Sequence, residues 1–87
     1  MAEDIQKRRP VHVVGIRVED RVKYAPEVQE ILTRYGDVIV SRAGYHNPQS
    51  PDGIITMVVE AEPTIVQNLA KDLRKIEGVS AETCRLT

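Results

Sequence analysis

Six segments of hydrophobic rhythm follow one another along these 87 residues, and their order is the tightest constraint on the fold. Apolar residues at every second position mark a half-buried strand. Spacing of i, i+3, i+4, i+7 marks one face of a helix. On these criteria the sequence predicts strands over 11–19, 38–45, 53–61 and 79–86, and helices over 24–35 and 64–76. The order β-α-β-β-α-β is a split β-α-β unit used twice. It predicts an α+β, ferredoxin-like sandwich, with an antiparallel sheet in the order 4-1-3-2 and two helices on one face. Residues 1–9 are expected to be a flexible N-terminal tail and 10–87 one domain.

The strands divide into two faces. In the first, Val14, Ile16 and Val18 share one side, and Val11, Val13, Gly15 and Arg17 the other. In the third, Ile55, Met57, Val59 and Ala61 are expected to face the helices, and Ile54, Thr56, Val58 and Glu60 to face away. The first helix is expected to begin near Tyr24 or Ala25, because Pro26 is best tolerated in a first turn. Its stripe is Val28, Ile31, Leu32 and Tyr35, with Glu27, Gln29, Glu30 and Arg34 toward water, and Gly36 is expected as a left-handed cap. Pro63 opens the second helix, whose stripe is Ile65, Leu69, Leu73 and Ile76, flanked by Val66 and Ala70. The last strand has no cleanly apolar face.

Composition removes several function classes. The net charge is −1, and the basic run Lys7-Arg8-Arg9 is offset by Glu3 and Asp4, which argues against direct nucleic-acid binding. Phe and Trp are absent and only three Tyr are present, too few for the aromatic platform on which such folds stack bases. No apolar run approaches the length of a membrane span or a signal-peptide core, so no membrane partner is expected. One cysteine, Cys84, precludes an internal disulfide and suits a cytoplasmic setting.

Catalytic and metal constellations are missing. Ser41 and Thr56 fall within strands, while Asp20, Asp37 and Asp52 fall at element ends, where capping and turns account for them. No nucleophile and base stand at a usable spacing, so no enzyme activity and no cofactor are expected. His12, His46 and Cys84 are the only soft metal ligands. The predicted topology puts the two histidines at opposite ends of the domain and leaves His12 beside Cys84. A lone His–Cys pair is too few ligands for a structural zinc or a nickel site. A surface histidine and a half-buried thiol are the expectation instead, and no metal site is assigned.

Two features exceed what a solvated surface needs. The sheet face away from the helices is expected to carry Val11, Val13, Val38, Val40, Ile54 and Val58, interrupted by Arg17, Arg42 and Glu60. An apolar patch on a face that no helix covers marks an interface. It predicts a homo-oligomer, dimer or tetramer, in which the three charges pair. The second feature is a convergence of loops. The topology brings Asp20 and Arg21 to the end where Gly44, Tyr45 and His46 leave the second strand. With the N–H groups of the first helix, these five residues form a candidate site for a small anionic ligand, a carboxylate or a phosphate.

The segments VVGIRVEDR, EILTRYGDVIVSRAGY, GIITMVVEAE and LRKIEGVS, running from about Val13 to Val79, resemble the regulators of the iron-only hydrogenase system. The piece ILTRYGDVIVSRAG carries most of the likeness. That family is similar to ACT domains and to the C-terminal domain of nickel-responsive repressors. The resemblance implies an oligomeric, non-catalytic regulatory or sensing module that binds a small ligand or a partner protein. A structural assembly domain without ligand, or a metal-binding protein, are the alternatives. Nickel-responsive repressors have alternating histidines on strand three and a cysteine opening helix two. Met57-Val58-Val59-Glu60 and Pro63-Thr64-Ile65 stand there in this chain, which argues against nickel sensing. Glu19-Asp20-Arg21-Val22-Lys23 lacks the glycine of amino-acid-binding ACT loops, which argues against an amino-acid ligand. The tail before Pro10 is too short for a DNA-binding unit.

Overall fold

A computed structural model describes residues 9–87, so residues 1–8 of the expected tail lie outside the described residues. The elements are β1 (Val11–Val18), α1 (Arg21–Arg34), β2 (Ile39–His46), β3 (Gly53–Glu60), α2 (Pro63–Arg74) and β4 (Val79–Arg85). All strand pairs are antiparallel, in the order β2-β3-β1-β4, the arrangement the hydrophobic rhythm predicts.

The core lies between the sheet and the two helices. Val14, Ile16 and Val18 of β1 and Met57 and Val59 of β3 meet Val28, Ile31 and Leu32 of α1 and Val66, Leu69 and Leu73 of α2. Each such side chain contributes about 1.5–3 kcal/mol by leaving water. The α2 stripe is rotated from the expected one. Val66 is buried and Ile65 is 38% exposed, because Val66, Leu69, Ala70 and Leu73 form a tighter three-four repeat.

Local signals misplace two helix boundaries. α1 begins at Arg21 rather than at Tyr24 or Ala25, because the Asp20 carboxylate caps it, accepting from the Lys23 N–H at 3.3 Å. Pro26 therefore lies inside the helix, where it cannot donate to the Val22 carbonyl. Gly36 is not a left-handed cap. Gly78 has the only positive φ among the described residues, at 79°. α1 instead ends in tightened turns, the Tyr35 N–H donating to the Ile31 and Leu32 carbonyls and the Gly36 N–H to Thr33.

A β-bulge changes the faces of β2. Ile39 stands opposite Val59 and Ser41 opposite Val58, so β2 carries one extra residue between them. An extra residue sends every later side chain to the opposite face. Arg42, expected on the open face, thus stands opposite Met57 on the helix-covered side, and its guanidinium donates to Gln29 Oε1 of α1 at 2.7 Å. Val38 packs partly against the core, while Val40 is 60% exposed.

His12 and Cys84 also depart from expectation. His12 is buried, with Nε2 3.2 Å from the Ala61 carbonyl oxygen. A carbonyl only accepts, so this contact places a proton on Nε2. Cys84 is exposed and pairs with Val13, on the opposite sheet face from His12. The reason is the pleat: adjacent register positions point to opposite faces, whatever their separation along the sheet.

Candidate functional site

A cleft of about 480 Å³ opens between the first half of α1 and the ends of β2 and β3. Val18, Ala25, Val28 and Ile55 make its apolar wall, with Arg21, Gln29 and His46 as polar groups; Tyr45 reaches the cleft from its edge, since it stands opposite Ile54 on the open side of the sheet. Four of the five predicted site residues, Arg21, Gly44, Tyr45 and His46, line it. Asp20 does not, because its carboxylate is turned onto the Lys23 N–H as the helix cap.

Three local features shape the cleft. Gly44 stands opposite Ile55, on the helix side of the sheet, and a β-carbon there would meet nothing within 4 Å. The cleft therefore includes the space that a side chain at Gly44 would fill. Gly53 stands opposite both Val18 and His46. The Arg21 stem lies directly over it, so closely that a β-carbon at Gly53 would be 2.7 Å from Arg21 Cγ and Cδ. Val22, at the rim, is 88% exposed, an apolar side chain offered to solvent beside an apolar cavity.

The electrostatics centre on Arg21. Its Nε is buried and has no hydrogen-bond partner among the described residues. A buried donor left unpaired costs about 1–3 kcal/mol, and more when charged. An anionic oxygen entering the cleft would remove that penalty. The helix N-terminus supplies less than the sequence suggests. The Arg21 N–H donates to the Pro51 carbonyl at 3.0 Å and the Lys23 N–H to Asp20, so two of the first-turn donors are already engaged.

The loop below the cleft is tied to the sheet. Asp52 accepts from Arg17 at 2.6 Å and from Ser50 Oγ at 3.0 Å. The Arg17 hydrogen bond, with Ser50 second, holds the Asp52 carboxyl below its usual range. Sequence reasoning missed Gln29, Gly53 and Val22 as cleft residues. Gln29 carries no signal beyond a polar position on α1, and Gly53 reads as part of an Asp-Gly turn. Among the described residues, no three His, Cys, Asp or Glu side chains cluster as a metal site. No described helix is long and apolar enough to cross a membrane.

A family model described as "TM1266-like: Iron-only hydrogenase system regulator, putative" matches residues 10–83. The chain belongs to this family. Among solved structures it is similar to the uncharacterized protein TM1266 from Thermotoga maritima, at 30% identity and a TM-score of 0.85, covering 93% of this chain and 100% of that one. The ACT domain of GTP pyrophosphokinase from Chlorobium tepidum shares the fold at 18% identity and a TM-score of 0.65, over 88% of this chain and 85% of that one. So does CPII from Thiomonas intermedia K12, a nitrogen regulatory PII-like protein, at 14% identity and a TM-score of 0.54, over 92% and 95% of the two chains. No curated protein matches the chain. The family's description agrees with the regulatory class that the sequence resemblance implies, and the neighbours agree with the predicted fold.

Proposed function

We propose that this protein is a non-catalytic, cytoplasmic sensing module of the iron-only hydrogenase system, working as a homo-oligomer and binding a small anionic ligand in the α1–β2 cleft. The observation that carries the reading is the unpaired, buried Arg21 Nε of a residue that lines a mainly apolar cavity. One cation set among Val18, Ala25, Val28 and Ile55 suits a molecule with one anionic end and a short apolar body. The ACT and PII-like neighbours support a regulatory role at the level of the fold.

Acetate, isobutyrate and inorganic phosphate, titrated against the protein while amide and Arg21 Nε–H resonances are followed, test the reading. Saturable shifts at Arg21, Gly44 and His46, strongest for isobutyrate and lost in Arg21→Ala, are expected. Shifts elsewhere, or none with any of the three, would sink it. The exposed sheet face favours the second reading, a structural assembly domain; that reading gains if the protein self-associates and no anion binds.

A further inference from the structure

We infer that the open sheet face is a two-fold interface with a second copy of this chain, the axis crossing the strands between the rows of Val13 and Gly15. The inference rests on the homo-oligomer reading above and adds the geometry of the contact.

The face is built in rows by the strand register. Glu60 stands opposite Val11, Val58 opposite Val13, Thr56 opposite Gly15, and Ile54 opposite Arg17. One end of the β1–β3 pair therefore carries an acid and the other a base, and Glu82 of β4 adds a second acid between them, opposite Gly15 at the side of the trough. Glu60 has no side-chain partner among the described residues. Arg17 holds Asp52 through one guanidinium nitrogen while its side chain is 49% exposed. A guanidinium has five donors in a fork, so Arg17 keeps capacity for a second carboxylate.

The middle of the face is uneven in a matching way. Gly15 leaves a trough of about 260 Å³ lined mainly by apolar atoms, and a β-carbon there would meet nothing within 4 Å. Val13, one row away on the same face of β1, stands as a ridge.

Aligned sheets stack face to face in two ways under a two-fold axis. An axis along the strands lays each row on itself. Both Glu60 carboxylates then share one end and both Arg17 guanidinium groups the other, and like charges in an interface are costly. An axis across the strands inverts the rows. Each Glu60 end then covers the partner's Arg17 end, and each Val13 lies over the other copy's Gly15 trough. A self-complementary patch is what a two-fold contact requires. The crossing axis also brings the two Glu82 side chains to adjacent rows, one like-charge approach against two opposite-charge contacts, so the charges still favour it over the axis along the strands, and the ridge and trough fit it.

Charge reversal in separate and mixed samples tests this by sedimentation equilibrium at micromolar concentration. The wild type is expected to be at least dimeric. Arg17→Glu alone and Glu60→Arg alone each place two like-charge contacts in the interface and are expected to weaken association by roughly tenfold or more. An equimolar mixture of the two creates two opposite-charge contacts and is expected to recover the wild-type association. Gly15→Leu, which has open space for its side chain, is expected to stay folded by circular dichroism and to lose association because it fills the trough. A monomeric wild type would overturn both this inference and the homo-oligomer reading. An oligomer unaffected by the three variants, or a mixture that fails to recover, would overturn this interface alone.

Discussion

The side chain of Arg21 occupies the space that a β-carbon on Gly53 would need, its Cγ and Cδ both 2.7 Å from that position. The first residue of α1 is thereby laid flat across the first residue of β3, with its Nε 3.9 Å from the same position. Gly53→Ala is predicted to force the stem outward. Overpacking of this kind costs about 1–3 kcal/mol, so the domain remains folded, with a lowered denaturant midpoint. Anion affinity falls with it in the titration described above. An unchanged affinity would mean that the position of Arg21 does not matter.

Gly44→Leu separates cleft from fold. Nothing lies within 4 Å of the added β-carbon, and the residue faces the cavity opposite Ile55. The variant is predicted to match or exceed the wild type in thermal stability, since glycine inside a strand is unfavourable by roughly 0.5–1 kcal/mol. Amide shifts on adding isobutyrate disappear. Loss of both folding and response would show the cleft to be structural.

Two glycines at helix ends respond oppositely to alanine. Gly78 has φ 79°, and a β-carbon there would lie 2.6 Å from Tyr24 Cε2. Left-handed backbone costs a non-glycine residue about 1–2 kcal/mol, and displacement of the Tyr24 ring adds to it. Gly36 has no positive φ and one close neighbour, the Thr33 carbonyl oxygen at 3.2 Å. Urea denaturation is predicted to show a loss of about 2 kcal/mol or more for Gly78→Ala, the strain plus the ring displacement, and a clearly smaller change for Gly36→Ala. Equal effects would contradict the backbone geometry.

Asp52 sets an acid limb of stability. Its carboxyl is held below the ordinary value first by the Arg17 hydrogen bond and then by Ser50. A depressed folded value means that the folded state favours the ionised form. The contribution is fully present above the unfolded value, about 3.9, and is lost as pH falls through the lower folded value. Asp52→Asn is predicted to flatten that part of the stability–pH curve and to leave the curve near neutrality parallel to wild type. Chemical denaturation at stepped pH measures it.

Tyr35 sets the opposite limb. Burial first, then its hydrogen bond to Asp72 at 2.8 Å, raises its hydroxyl above the ordinary value. The protonated form is the one the folded state favours. Stability from this group is complete below the unfolded value, about 10, and is lost as pH rises through the higher folded value. Tyr35→Phe removes the link between α1 and α2. It is predicted to cost about 1 kcal/mol at neutral pH and to lessen the alkaline loss.

Order and type of every element were legible in the sequence, because each depends on a period written along one segment. Val14, Ile16 and Val18 alternate, Val28, Ile31 and Leu32 share a helical stripe, and burial in water's absence rewards both patterns without reference to neighbours. Arg21, Gly44, Tyr45 and His46 were legible as a group for the same reason: antiparallel order alone brings their element ends together.

The remainder was decided between segments. The bulge between Ile39 and Ser41 is a mismatch between β2 and β3, and it alone turns Arg42 toward Gln29. Gly78 rather than Gly36 takes the left-handed turn where Tyr24 closes over it. His12 is buried where the Ala61 carbonyl waits, and the Arg21 stem lies where Gly53 has no side chain. A hydrophobic period records which way a side chain points from its own backbone. Register, close approach and hydrogen-bond partnership depend on a second backbone placed by the packing, and only the tertiary structure supplies it.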